Sequence, residues 1–130
     1  MIDFVKHNEN PKGKKTGDCV IRALTTATGK PYLEVYRELF EISVKTGYIL
    51  NDKRNYEKFL AKHGFEKMKQ PRKRDNTKYK VGEIDKLEDI YGETIVISMA
   101  NHLTCVDLGV LYDLWDCRRK TISNYYIKTI

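Results

Sequence analysis

Three residue types capable of joint chemistry occur in a suggestive order along the chain. The segment Gly17-Asp18-Cys19-Val20-Ile21-Arg22-Ala23-Leu24 sets a cysteine directly after a helix-capping residue. Downstream, Asn101-His102-Leu103-Thr104-Cys105-Val106 supplies an imidazole, and Tyr112-Asp113-Leu114-Trp115-Asp116 supplies two carboxylates. Together they fit nucleophilic catalysis. A thiol attacks a carbonyl as its thiolate, an imidazolium stabilises that thiolate and later protonates the leaving group, and a carboxylate fixes the ring. A helix N-terminus alone stabilises a nearby anion by about 0.3–1 kcal/mol, less than one pKa unit, so the imidazole must do most of the activation. His102 suits that task better than His7, in an irregular lead-in, or His63, at a helix C-terminus where a cation meets the helix dipole.

The other two cysteines are expected to be bystanders. Cys105 falls at an inward strand position, and Cys117 leads with Arg118 and Arg119 into an exposed loop. A metal site built from Cys19, His102 and Cys105 or Cys117 would lack the close ligand spacing of known zinc motifs, so neither metal nor cofactor is expected.

The elements that must position these groups follow from punctuation and periodicity. Residues 1–17, with Ile2, Phe4 and Val5, read as an irregular lead-in. Asp18 is the expected N-cap, its carboxylate accepting a first-turn backbone N–H, with Cys19 at the first helical position and Gly29 as the C-terminal stop. Leu33, Val35, Tyr36, Leu39, Phe40 and Ile42 recur at three-to-four spacing and predict a second helix ending at Gly47, its apolar face in the core. A third helix spans residues 52–63, with Asp52 as cap, Tyr56, Phe59 and Leu60 inward and Gly64 as its stop. After a polar, basic stretch, Ile84, Leu87 and Ile90 suggest a short helix ended by Gly92. Strands are predicted over residues 94–99, 102–106, 110–115 and 124–129. The expected fold class is therefore α+β, with N-terminal helices packed on one side of a C-terminal antiparallel sheet.

The hairpin loop decides which aspartate serves His102. A two-residue Leu108-Gly109 loop puts His102 opposite Trp115 and diagonal to Asp113; a three-residue loop with Gly109 as bulge makes Asp116 the diagonal neighbour. A two-residue loop would hold Leu108 at positive φ, which disfavours it. Geometry leaves both aspartates open.

Composition bounds the class. The 130 residues suit one domain, 1–130, large enough to bury roughly two thirds of its unfolded surface. An odd count of cysteines without paired spacing, no apolar stretch after a basic start, and no run approaching the roughly 18 apolar residues of a membrane span point to a cytoplasmic protein with no membrane partner. The net charge of +6 gathers in Lys12, Lys14 and Lys15 and in Lys67, Lys69, Arg72, Lys73, Arg74, Lys78 and Lys80. Residues 67–80 therefore read as an exposed basic loop, a docking surface for an acidic partner. Tyr79 is the only ring between Phe65 and Tyr91, so a protein or peptide is expected ahead of nucleic acid.

Cys19 at a helix start, His102 opening a strand, and Asp113-x-Trp115 on the next strand resemble the papain-like cysteine peptidase superfamily. In that superfamily the third residue is an Asn or Asp, often followed at plus two by a Trp that shields the imidazole. The same segments look like small, uncharacterised papain-fold proteins of bacteriophages and bacteria, in which case the host cytoplasm would be the location. The resemblance implies a papain-like fold, a Cys19-His102-Asp113 triad with Trp115 as its shield and Asp116 as the alternative acid, and hydrolysis or transfer at a peptide, isopeptide or amide bond. Papain-like peptidases also place a Gln about six residues before the nucleophile to donate to the oxyanion. Gly13 stands there in this chain, which makes Asn8, Asn10 and Thr16 the candidate donors. The alternative is a papain-fold binding protein, such as a phage antagonist of a host protein, nucleotide or nucleic acid, which needs no such donor.

Overall fold

In the computed structural model, which describes residues 1–87, 90 and 94–129, the elements follow from these local signals with instructive exceptions. They are β1 (Asp3–Lys6), α1 (Cys19–Thr28), α2 (Tyr32–Thr46), α3 (Lys53–Lys62), β2 (Phe65–Met68), a 3-10 helix (Val81–Lys86), β3 (Thr94–Met99), β4 (His102–Asp107), β5 (Val110–Asp113) and β6 (Asn124–Lys128). The helices stop where glycine permits a left-handed residue, at Gly29 (φ 70°) and Gly47 (φ 81°). Asp52 caps α3, its carboxylate accepting the Arg54 backbone N–H at 2.8 Å.

The strands form one sheet in the order β1-β5-β4-β3-β6-β2. The apolar, β-branched run of β3 explains its central place, since both of its faces must be covered. On one face Val96, Leu103, Cys105 and Tyr126 pack against Leu24, Leu39 and Phe59 of the three α-helices. On the other, Ile95, Ile97, Val106 and Leu111 pack against Val81 and Ile84 of the 3-10 helix together with Cys117 and Ile122. The fold class is α+β, and among the described residues no helix is long and apolar enough to cross a membrane.

Four expectations are corrected. The sheet is mixed rather than antiparallel, because part of the lead-in forms β1 and pairs parallel to β5, Asp3 opposite Val110. Phe65–Met68, which takes in the first residues of the expected 67–80 basic loop, pairs antiparallel with β6. Both are four-residue edge strands whose exposed charges, Asp3 and Lys6 in one and Glu66 and Lys67 in the other, protect an edge but hide the strand pattern. The face of α2 divides: Val35 and Leu39 are buried, whereas Leu33, Tyr36, Phe40 and Val44 are exposed, because only two positions per pair of turns meet α1 and α3. The helix predicted from residue 81 is a 3-10 turn that ends at Lys86, and its expected stop, Gly92, lies outside the described residues.

The β4–β5 hairpin takes the two-residue form. Asp107 pairs with Val110, leaving Leu108 (φ 51°) and Gly109 (φ 78°) as a turn with positive φ at both positions. The penalty at Leu108 is accepted because the register puts Leu111 and Val106 into the same apolar layer. Leu108→Asn, which suits that conformation, is expected to stabilise the fold by about 0.5–1 kcal/mol, since the leucine is largely exposed and gives up little packing. A urea midpoint that rises with an unchanged slope would show this, and a falling midpoint would contradict it.

Candidate active site

Local structure brings the predicted residues together at one end of the sheet. Cys19 opens α1, and the tight turn at Ala100 and Asn101 (φ 56°), where Met99 pairs with His102, sets the imidazole at the first position of β4. Cys19, His102 and Leu103 line one cleft, and the imidazole and the Leu103 backbone both favour the Cys19 thiolate. On its other side, His102 Nε2 lies 2.7 Å from Asp113 Oδ2. Asp113 is positioned by the hairpin register, which sets it across from Thr104, whose hydroxyl donates to the same oxygen at 2.7 Å.

These contacts decide the charges. Burial opposes a thiolate at Cys19, but the hydrogen bonds from His102 and the Leu103 backbone and the positive charges of His102 and Arg22 outweigh it, holding the thiol below its ordinary value. Burial likewise opposes an imidazolium, yet the bonds to Asp113, Cys117 and Cys19 and the Asp113 charge push His102 up to about 11. Asp113 stays below the usual carboxylate range despite being buried, because His102 and Thr104 donate to it. Imidazolium and carboxylate are thus the favoured forms at neutral pH, and their arrangement biases Cys19 toward its thiolate.

Sequence reasoning missed the group that anchors this line. Arg22, 7% exposed, donates from Nε to Asp18 Oδ1 at 2.8 Å and from Nη1 to Asp113 Oδ1 at 3.1 Å. The signal was present as the i,i+4 pair of Asp18 and Arg22 on one helix face. Asp18 is therefore not the side-chain cap expected of it. Its carboxylate makes no cap bond, accepting instead from Arg22, from the Tyr32 hydroxyl at 2.8 Å and from Asn10 Nδ2 at 3.1 Å. A buried guanidinium between two carboxylates needs both, and that demand wins over a single backbone N–H.

Trp115 lies with its ring centroid 5.0 Å from that of His102, covering the imidazole, while remaining 40% exposed on its outer side. Asp116 does not approach His102. Arg118 holds it in a two-point contact, Nε to Oδ1 at 2.9 Å and Nη2 to Oδ2 at 2.8 Å. Asp116→Asn is accordingly expected to leave Cys19 reactivity within about twofold, whereas Asp113→Asn slows it more; the reverse ranking by alkylation rate would contradict the geometry.

Cys117 is buried rather than exposed, its thiol 3.9 Å from Asp113 Oδ2, because the chain turns inward after Asp116 to pack against the sheet. His102, Asp113 and Cys117 thus bring possible metal-ligand atoms within 4.8 Å of one another. The donor set does not fit a cation: Leu114 N–H and Arg22 occupy one Asp113 oxygen, His102 and Thr104 the other, and a guanidinium already supplies the local positive charge. Cys105 is fully buried and its thiol is pushed up by burial. Iodoacetamide is therefore expected to modify Cys19 alone, and to do so equally in Cys105→Ala and Cys117→Ala, as read by peptide mapping; adducts at Cys117 would contradict this.

The thiol and imidazole face a cleft of about 500 Å³ bounded by Val20, Asn51, Tyr56 and Ser98. The candidate oxyanion donors lie elsewhere. Asn8 Nδ2 donates to Lys14 O and Asn10 Nδ2 to Asp18, shaping the loop before α1, and none of Asn8, Asn10 and Thr16 lines the cleft. What the cleft offers an oxyanion is the start of α1, whose first backbone N–H groups have no intrahelical acceptor, together with Asn51, which follows the nucleophile in the chain rather than preceding it. Residues 67–80 also lie off the cleft, with Lys67 paired to Glu57 and Lys73 to Glu83, both at 2.9 Å. Comparison of the chain with protein-family models, curated protein sequences and solved structures finds no match, so the site's own geometry carries the functional argument.

Proposed function

We propose that the protein is a papain-like thiol hydrolase or acyl transferase acting on a peptide, isopeptide or amide bond. The observation that supports this most is the line of three groups: a half-buried thiol against His102, whose Nε2 is 2.7 Å from a carboxylate that is itself tied down by Thr104 and Arg22. With Nε2 engaged by Asp113, Nδ1 is the nitrogen that serves Cys19. The thiolate attacks the carbonyl carbon, and the resulting oxyanion meets the N–H groups at the start of α1. Collapse breaks the carbon–nitrogen bond, and His102 gives its proton to the leaving amine. The thioester then yields to water, or to a second amine, with His102 taking the nucleophile's proton and restoring the ion pair. Trp115 keeps bulk water from the His102–Asp113 bond.

A peptide mixture incubated with the protein tests the reading. New termini or amine-exchange products are expected from the wild-type chain and neither from Cys19→Ala nor from His102→Ala; products formed equally by all three, or by none, would contradict it. A second reading, a papain-fold protein that binds without turnover, is favoured by one observation, that Asn8, Asn10 and Thr16 all lie off the cleft. It requires that no products form at all.

A further inference from the structure

The catalytic cleft does not end at Cys19. Val20 and Asn51 form part of its wall and also part of the wall of a second hollow of about 300 Å³, lined by Ile21, Tyr32, Tyr36, Ile49 and Leu50. Its single acid, Asp18, is buried, with its carboxylate already accepting from Arg22, Tyr32 and Asn10, so the hollow is apolar in character. Tyr32, Tyr36 and Thr16 are in turn shared with a third hollow of about 530 Å³, walled by Lys12, Lys14 and Lys15. The three hollows form one track along the surface, from nucleophile to apolar chamber to a wall of lysines.

The lysine wall is built to stay in place. Asn8 Nδ2 holds the Lys14 carbonyl at 3.1 Å, Asn10 Oδ1 accepts the Lys12 N–H at 2.9 Å, and the Gly13 N–H closes on Asn10 O at 2.9 Å. The two asparagines singled out as oxyanion donors thus shape the lysine loop. Among the described residues, Lys12, Lys14 and Lys15 make no ion pair, in contrast to Lys67 and Lys73 of the other basic segment. Three exposed, uncompensated ammonium groups beside an apolar chamber complement a ligand with carboxylates next to an apolar side chain.

We propose that this track is the substrate-docking groove of the site, and that it takes an extended peptide segment with a large apolar side chain near the scissile bond and acidic side chains beyond it. The apolar side chain fills the chamber between Tyr36, Ile49 and Ile21, and the carboxylates meet Lys12, Lys14 and Lys15. The inference rests on the proposed thiol chemistry only for the role of the segment as substrate; the docking itself does not depend on it.

Equilibrium binding to Cys19→Ala, which cannot turn over, separates the two. The probes are two fluorescein-labelled peptides, Glu-Glu-Glu-Leu-Gly-Gly and its reverse, read by anisotropy at low salt. At least one is expected to bind, to weaken about tenfold or more when Lys12, Lys14 and Lys15 are all changed to Glu, and to be unaffected when Lys69, Arg74 and Lys78, a charge-matched set on the other basic segment, are changed to Glu. Binding is also expected to fall when the leucine is replaced by serine. On the wild-type chain, the bound peptide is expected to protect Cys19 from iodoacetamide. Equal losses in the two triple variants, tighter binding of an oligothymidylate than of either peptide, or binding without protection of Cys19 would each overturn the proposal. Lysine-dependent binding alongside a Cys19 that iodoacetamide modifies no faster than a free thiol would overturn the thiol chemistry and leave the docking groove standing.

Discussion

Arg22→Met is expected to destabilise the fold by about 3–5 kcal/mol, the largest stability effect of any single substitution outside the apolar core. The methionine fills much of the volume but leaves Asp18 and Asp113, both buried, without their shared cation. Each carboxylate is held below its ordinary range, and part of that depression comes from Arg22 at Asp18 and from the surrounding donors at Asp113. A group with a depressed folded-state value contributes stability above its unfolded value, around pH 4, and loses it as pH falls through the folded value. The deficit of Arg22→Met should therefore be large at neutral pH and shrink in acid. Arg22→Lys keeps the charge but has no fork to span two carboxylates, so it should fall between the two. Urea unfolding at neutral and acid pH reads all of this, and a neutral-pH loss under about 1 kcal/mol would show that Arg22 is not the anchor. Because stability alone would not distinguish a structural role, the alkylation profile of Cys19 should also shift upward in Arg22→Met, less than in the variant considered next.

His102→Ala is expected to slow alkylation of Cys19 at pH 6 by more than about tenfold. With the imidazolium gone, the half-buried thiol retains the cost of burial and loses its largest compensation. Each unit by which its titration moves up removes about tenfold of thiolate at a pH below both values, partly offset because a more basic thiolate is a better nucleophile. The variant also takes one donor from the buried Asp113, but Arg22, Thr104 and the Leu114 N–H still hold that carboxylate, and circular dichroism checks that the fold is kept. A rate unchanged at pH 6 would mean that no ion pair forms.

What the sequence disclosed about this site, and what it concealed, divides along a physical line. Local signals with strong backbone causes were legible: Gly29 and Gly47 as helix stops, Asp52 as a cap, the β-branched run of β3 as a buried strand. The structure also brings Cys19, His102 and Asp113 together and leaves Asp116 with Arg118. That outcome turned on Leu108 tolerating positive φ, a cost that only the tertiary register could justify. Interactions that depend on the whole fold were not legible. Arg22 looked like one more helical residue until the sheet placed Asp113 beside it, and Asp18 looked like a cap until the buried guanidinium claimed it. Cys117 reads as exposed between charged neighbours, yet its side chain closes the apolar layer under the sheet. The edge strands β1 and β2 carry charges where a strand pattern would show apolar alternation, which hides them in the sequence.

The most direct test of the central claim is the titration of the Cys19 thiol itself, followed by thiolate absorbance in the ultraviolet with Cys19→Ala as the blank. In the wild-type chain the thiolate is expected to form below the ordinary thiol value, and in His102→Ala the same titration is expected to move up toward or beyond it. A wild-type thiol that titrates at its ordinary value or higher, with no change on removing His102, would contradict the ion pair on which the account stands.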